Sequence, residues 1–356
     1  MLEVLIQRLS ALEPLTESQI CQAVEQLVDE AVSMEVKADF LITLARKGET
    51  GAEIAVFARE LRARAIQPEI QPPLRTCPIL DVVGTGGDRL NTFNISTAAA
   101  LVAAAAGVVV AKHGNRARTS STGSADVLDA LGIPWNLGPE EAVRSLQKHG
   151  FAFFFAPKYH PAFRHVGPAR KLCAERGHRT IFNILGPLLN PACPSATLVG
   201  VPRPELCEPI GKVLQKLGVQ RAMIVCGMAH DETGTIRYLD ELSSLGPTFL
   251  AEFYQENALA ASKLPAEVFP VQPARLADLG GADPHTNATI IRQIFGGHDR
   301  GARRDAVLLN AAAALFVAEK ARTLAEGWDL AAELVDSGAA IRKIEELRAT
   351  MKPAAV

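Results

Sequence analysis

The chain has 356 residues, 21% of them charged, and a formal net charge of −2 at pH 7. That balance excludes a broadly basic nucleic-acid-binding surface, and the length supports a sizeable core in roughly two or three domains. The most apolar run, Ala98 to Ala111, is too short to span a bilayer and contains Gly107. The apolar N-terminal stretch carries Glu3 and Arg8 and no cleavage site, so neither a membrane protein nor a secreted one is expected. Six cysteines (Cys21, Cys77, Cys173, Cys193, Cys207, Cys226) lack any CxxC or Cys/His ligand spacing. They read as free, mostly buried thiols of a cytoplasmic protein.

Residues 1 to about 66 read as helices. Leu2, Leu5, Ile6 and Leu9 repeat at helical spacing, and Thr16 offers a cap for a helix bearing Ile20, Val24, Leu27 and Val28. A third helix holds Val36, Phe40, Leu41 and Leu44 and closes near Gly48; Thr50 caps a fourth with Ile54, Phe57, Ala58 and Leu61. Ile66 to Pro78 carries four prolines and no periodicity, as a linker does. Short β-like runs then alternate with helices. The strands are expected at Ile79–Val83, Val108–Ala111, Phe151–Phe155, Ala196–Val201 and Ala222–Cys226. The helices are expected at Ile95–Ala106, Ala125–Leu131, Pro139–His149, Pro204–Leu217, Asp305–Ala325 and Leu330–Leu347. This alternation indicates an α/β domain with a mostly parallel central sheet, behind a small all-helical N-terminal domain. The division is expected at 1–72 and 73–356, with part of 158–192, a Pro/Arg/Gly-rich excursion, returning to the helical domain.

Two strands empty into polar, glycine-bearing loops. Gly84-Thr85-Gly86-Gly87-Asp88 lets backbone amides approach phosphate oxygens, although an ordinary strand-to-helix turn explains the glycines equally well. A Walker A loop needs a lysine that is absent, and Arg89 stands where a dinucleotide fingerprint has its last glycine. Asp88 would repel a bare pyrophosphate, so the anion brings a metal ion or offers a hydroxyl. The hydroxyl and amide cluster Thr92, Asn94, Ser96 and Thr97 exceeds what one helix cap requires. Lys112-His113-Gly114-Asn115-Arg116 and the serines, threonines and Gly123 that follow make a second anion cradle. His113 is either a base or a hydrogen-bond anchor. Adjacent carboxylates suit magnesium, but Asp231-Glu232 and Asp240-Glu241 both offer them and spacing does not choose. Arg164 and Arg170 are each able to hold a carboxylate.

Together GTGGD (84–88), TFNISTA (92–98), KHGNR (112–116), GSADVL (123–128), HPA (160–162), RTIFNILGPLLNP (179–191) and LDELSSLGPT (239–248) resemble the anthranilate phosphoribosyltransferase family. The resemblance runs from the first helices to about residue 348. It implies the nucleoside-phosphorylase-like phosphoribosyltransferase fold, a homodimer, and two magnesium ions per monomer. The implied reaction is transfer of the phosphoribosyl group of 5-phospho-α-D-ribose 1-diphosphate (PRPP) to the amine of anthranilate, the second step of tryptophan biosynthesis from chorismate. By position, PRPP would be held by Gly84, Gly87, Asp88, Thr92, Asn94, Ile95, Ser96 and Thr97. Lys112, His113, Gly114, Asn115, Arg116, Ala117, Arg118, Thr119, Ser120 and Ser124 would complete that cradle. Anthranilate would meet Gly84, Asn115, His160 and Arg170, and magnesium Ser96, Asp240 and Glu241. The resemblance thus chooses the second acidic pair and leaves Asp231-Glu232 as insertion, and no general base is assigned. Met228 to Tyr238 is longer than the family's usual turn, and Ser121 stands where lysine is frequent. A pyrimidine nucleoside phosphorylase and a nucleic-acid-binding relative share the fold; the last two motifs and the near-neutral charge favour the transferase.

Overall fold

Local capping chemistry sets the first four helices of the computed structural model, which describes residues 1–117, 121–255 and 258–350. They are α1 (Leu2–Ser10), α2 (Glu17–Val28), α3 (Met34–Lys47) and α4 (Gly51–Ala63). Thr16 with Gln19, and Thr50 with Glu53, form reciprocal capping boxes that satisfy amides the helices leave unpaired. Buried Glu53 also accepts from the Leu15 N–H at 2.9 Å and from Lys47 at 2.7 Å, so one carboxylate ties the ends of three segments.

The α/β region runs β1 (Ile79–Gly84), α5 (Ile95–Ala105), β2 (Val109–Gly114), α6 (Ser124–Leu131), α7 (Pro139–His149), β3 (Phe151–Phe155) and α8 (Ala156–Tyr159). It continues through α9 (Gly167–Glu175), β4 (Ala196–Gly200), α10 (Cys207–Lys216), β5 (Arg221–His230), β6 (Ile236–Leu239), β7 (Thr248–Gln255) and β8 (Ala258–Leu264). Four helices close it: α11 (Pro284–Phe295), α12 (Ala302–Val317), α13 (Leu324–Asp336) and α14 (Ala339–Ala349). The strand order is β3-β2-β1-β4-β5-β7-β8, with β6 also on β5. From β3 to β5 the pairs are parallel; β6, β7 and β8 add antiparallel ones. The chain steps outward from β1 to β3, then returns to lay β4 on the other side of β1. Their shared carboxyl end, where Gly84 pairs with Gly200, is therefore the topological switch point.

Side chains alternate across the sheet. Leu198 packs with α5, α6 and the C-terminal helices; Val199 packs with α10, α9 and the N-terminal bundle. The alanines of α5 and Ala311 to Ala314 of α12 are buried together, small enough for the two helices to approach closely. From the excursion, α9 packs on α3, and buried Lys37 donates to the Asp29 and His165 carbonyls at 2.6 and 2.9 Å.

The structure corrects several boundaries. The helix expected over Asp305–Ala325 stops at Val317, and Leu330–Leu347 is not one helix but parts of α13 and α14. Gly338, at φ 74°, makes that break, and side-chain periodicity does not register a turn of two residues. Strands β6 to β8 and helix α11 went unassigned; β8 is mostly exposed, so it lacks the apolar run that marks a buried strand. Three of the six free cysteines are buried, Cys173, Cys207 and Cys226, and Cys77 is exposed.

Candidate active site at the switch point

Two glycines open the site. A Cβ on Gly84 would stand 2.4 Å from Asp240 Oδ2, and one on Gly200 would stand 1.5 Å from the Asp240 carbonyl oxygen. The carboxyl ends of β1 and β4 are bare so that the turn after β6 can lie across them. Gly86 and Gly87 follow with φ of 69° and 90°, the left-handed region that only glycine enters freely. Their loop meets the acidic turn: the Gly86 N–H donates to Asp240 Oδ2 at 2.8 Å. Asp88 accepts from the Leu90 N–H at 3.2 Å, and Arg179 reaches the Gly87 carbonyl at 3.3 Å.

At the N-terminus of α5 the Ser96 N–H donates to Glu241 Oε1 at 3.0 Å, where helix dipole and open amides favour an anion. Ile95 and Thr97 are 1% and 0% exposed, and the Ile95 N–H donates to the Phe93 carbonyl at 2.7 Å. Thr92 bridges Gly280, and the Asn94 side chain donates to the Thr122 carbonyl at 3.3 Å and accepts from buried Asn287 at 3.0 Å.

From β2, buried Lys112 donates to the Val82 carbonyl and lies 3.5 Å from Ser96 Oγ. Burial lowers its pKa, opposed by the charges of Asp81 and Glu241. Beneath it the Asp81 carboxylate accepts from the His113 N–H at 3.2 Å and from Asn190 at 2.8 Å. Burial pushes Asp81 up to about 6 even with Lys112 beside it. A Cβ on Gly114 would lie 2.3 Å from Ser124 Oγ. The Asp126 carboxylate draws the loop ends together, accepting from the N–H groups of Ala117 and Gly123 at 2.8 and 3.0 Å. Arg116 is committed to Asp126 and Asp129 and lies over Trp135, so its guanidinium does not join the acidic pair. The Asn115 carbonyl accepts from Ser124 Oγ at 3.5 Å. Arg118, Thr119 and Ser120 lie outside the described residues.

On the other side of the loop sits an aromatic wall that sequence reasoning missed, apart from its histidines. His113 and His160 meet edge to face at 5.5 Å, His160 stacks on Phe163 at 4.9 Å, and Phe163 meets Phe182 at 5.6 Å. Arg170 lies over the Phe182 ring at 4.9 Å, a cation–π distance. No sequence pattern flagged Phe163, and Phe182 lies within RTIFNILGPLLNP (179–191) without an assigned role; the two come from separate turns of the excursion. His160 is 3% exposed, and among the described residues neither of its ring nitrogens nor His113 Nε2 has a hydrogen-bond partner. Burial depresses both imidazoles, His113 to about 3 and His160 to about 4, so both are neutral.

The two acidic pairs part company. Asp231 organises the tip of the β5–β6 hairpin, accepting from the Thr233 and Thr235 N–H groups and from Arg237 Nε at 2.8 Å. Asp240 and Glu241 instead lie against the glycine loop and α5. Burial raises both carboxyl pKa values, and a second negative charge adds to the rise, Asp88 for Asp240 and Asp240 for Glu241. Among the described residues no three His, Cys, Asp or Glu side chains close into a metal cage. A pair of adjacent, mutually repelling carboxylates fits magnesium, which takes few protein oxygens and keeps water and substrate oxygens.

A doubly wound sheet with a glycine loop and an acidic turn at its switch point is the arrangement of a class of glycosyl transferase, and the family models agree. Residues 76–341 match the α/β domain model of the glycosyl transferase family, and residues 3–65 match its helical bundle domain model. An anthranilate phosphoribosyltransferase from Roseiflexus castenholzii is 45% identical over 333 residues, 94% of this chain and 93% of that one. The crystal structure of the Thermus thermophilus anthranilate phosphoribosyltransferase superposes with a TM-score of 0.85 at 40% identity, over 97% of this chain and 98% of that one. The Saccharomyces cerevisiae enzyme, solved in complex with PRPP and Mg, gives a TM-score of 0.85 at 26% identity, with 98% of each chain covered. This chain belongs to the anthranilate phosphoribosyltransferase family and is a pentosyltransferase.

Proposed function

We propose that the chain transfers the phosphoribosyl group of PRPP to the amine of anthranilate, releasing diphosphate, within tryptophan biosynthesis. The observation that carries the reading is the pair of contacts from Asp240 to the Gly86 amide and from Glu241 to the Ser96 amide. They bring an acidic turn to a phosphate loop and a helix N-terminus from 154 and 145 residues away. Gly84, Gly87, Asp88, Thr92, Asn94 to Thr97, Lys112 and the loop through Ser124 hold PRPP. Ser96 Oγ, Asp240 and Glu241 hold magnesium, two ions per monomer. Bound magnesium supplies positive charge to the leaving diphosphate. Arg170 takes the anthranilate carboxylate, with Gly84, Asn115 and His160 beside the ring.

Diphosphate leaves ribose C1 while the ring oxygen shares the developing positive charge. The loop amides steady the departing oxygens, and such preorganised electrostatics is the protein's largest contribution. The aniline nitrogen is already a neutral nucleophile, so the residues around it orient and exclude water instead of acting as a strong base. The neutral, buried His113 and His160 suit that role. The enzyme acts as a cytoplasmic homodimer. Its domains are 1–72, joined by part of 158–192, and 73–356.

Protein, PRPP, magnesium and anthranilate are mixed, and loss of anthranilate fluorescence is followed. The expected result is loss that requires both PRPP and magnesium. Unchanged fluorescence together with phosphorolysis of uridine or thymidine would overturn the reading.

A further inference from the structure

The acidic turn is gripped from behind by one side chain that no motif drew attention to. Asn310 of α12 is 0% exposed. Its Oδ1 accepts from the Leu242 N–H at 2.9 Å, and its Nδ2 donates to the Leu242 carbonyl at 3.1 Å and to the Ala306 carbonyl at 2.9 Å. One amide thus satisfies both main-chain groups of the residue that follows Glu241, as a neighbouring strand would. Only Asn and Gln carry a donor and an acceptor in that geometry without charge. A leucine would leave both backbone groups of a buried residue unpaired, and an aspartate would lose both donated bonds and add a carboxyl beside Glu241.

The other sides of the turn are closed as well. A Cβ on Gly227 would lie 2.6 Å from the Glu241 carbonyl oxygen, and Gly200 presses on that of Asp240. Ser243 Oγ donates to the Met228 carbonyl at 2.7 Å, and the Ser243 N–H donates to Thr248 Oγ1 at 2.9 Å. Two glycines and two hydroxyls limit where the turn goes. Asn310, reaching across 68 residues of sequence, adds the hold on Leu242.

We propose that Asn310 is a positioning residue for the metal site: it holds the main chain at Leu242 so that the Asp240 and Glu241 carboxylates face the glycine loop before any metal arrives. This rests on the reading of Asp240 and Glu241 as the magnesium ligands. Its consequence is that metal affinity depends on a helix that touches neither substrate nor metal. Groups that orient metal ligands from behind typically change affinity by about 10–100-fold when removed.

The test titrates Mn2+ into the full-length protein with PRPP and no aromatic amine, reading free Mn2+ by its electron paramagnetic resonance signal. Wild type, Asn310→Leu, Asn310→Ser and Glu241→Gln are compared, each with its thermal melt; the serine variant keeps a hydroxyl should the leucine variant fold poorly. Expected is an affinity loss of about 10–100-fold in a folded Asn310 variant. Turnover is expected to recover at high magnesium, with KM for anthranilate unchanged. If Glu241→Gln loses Mn2+ while a folded Asn310 variant binds it as wild type does, Asn310 is merely structural and the inference fails. If Glu241→Gln also binds Mn2+ normally, the metal reading itself fails.

Discussion

Charge and burial at single residues decide what this site tolerates. Asp240→Asn combined with Glu241→Gln should lower turnover by on the order of 10²-fold while leaving anthranilate binding nearly unchanged, because the pair serves the leaving group. Steady-state kinetics at limiting magnesium checks this, and unchanged turnover would count against the metal assignment. Arg170 acts at the other end. Arg170→Ala should raise KM for anthranilate by roughly 10–100-fold, the range of a charge-assisted hydrogen bond of about 1.5–3 kcal/mol, and leave KM for PRPP alone. The histidines make a prediction in pH. His113 and His160 have folded pKa values of about 3 and about 4, below the unfolded value of about 6.5. The unfolded chain therefore binds more protons between those limits. Stability is full above about pH 6.5 and falls as pH drops toward 4, by up to about 1.4 kcal/mol per pH unit for each histidine. Denaturant melts between pH 7 and 5 should show that slope, and His160→Phe should make it shallower.

At the scale of elements, the same glycines that end the strands admit the acidic turn. Gly200→Ala puts a methyl group where the Asp240 carbonyl stands, so strand end and turn have to separate. The expected cost is about 1–3 kcal/mol in a denaturant melt, as overpacking gives, with turnover falling more than stability alone explains. Retained activity with an unchanged melt would show the turn to be pliant. The N-terminal helices are specified more locally. Thr50→Ala removes one half of a capping box and should cost about 1 kcal/mol by the same measurement. Such caps were legible because their partners lie three residues apart. The β5–β6 hairpin was not: Met228 to Tyr238 reads as an insertion, but it is the arm that delivers Asp240 to the end of β4.

In the whole molecule, the site exists because a doubly wound sheet changes direction between β1 and β4 and brings remote segments to one edge. The helical bundle shares a core with one face of that sheet through Val199, Val201 and Ile224, so the excursion carrying His160 and Arg170 is held by both parts. No helix among the described residues is long and apolar enough to cross a membrane. Sedimentation should report the mass of two 38.0 kDa chains, the homodimer proposed above; a monomer at working concentration would exclude it.

The elements and motifs that could be read from residues were those whose causes are local. Glycine at the end of an apolar run, a threonine three residues before its amide partner, and the 3.6-residue repeat of a buried helix face all act within a few residues. The candidate ligands were legible for the same reason, as unbroken motifs. What could not be read is how they are held. Asn310 on Leu242, Asn190 on Asp81 and Asn287 on Asn94 act across 68, 109 and 193 residues, and nothing near them in sequence names those partners, not even the motif that contains Asn190. Phe163 and Phe182 likewise become one wall only when two turns of the excursion fold together. Folding removes water from these groups, and a buried polar atom must then find its partner wherever the topology has placed it.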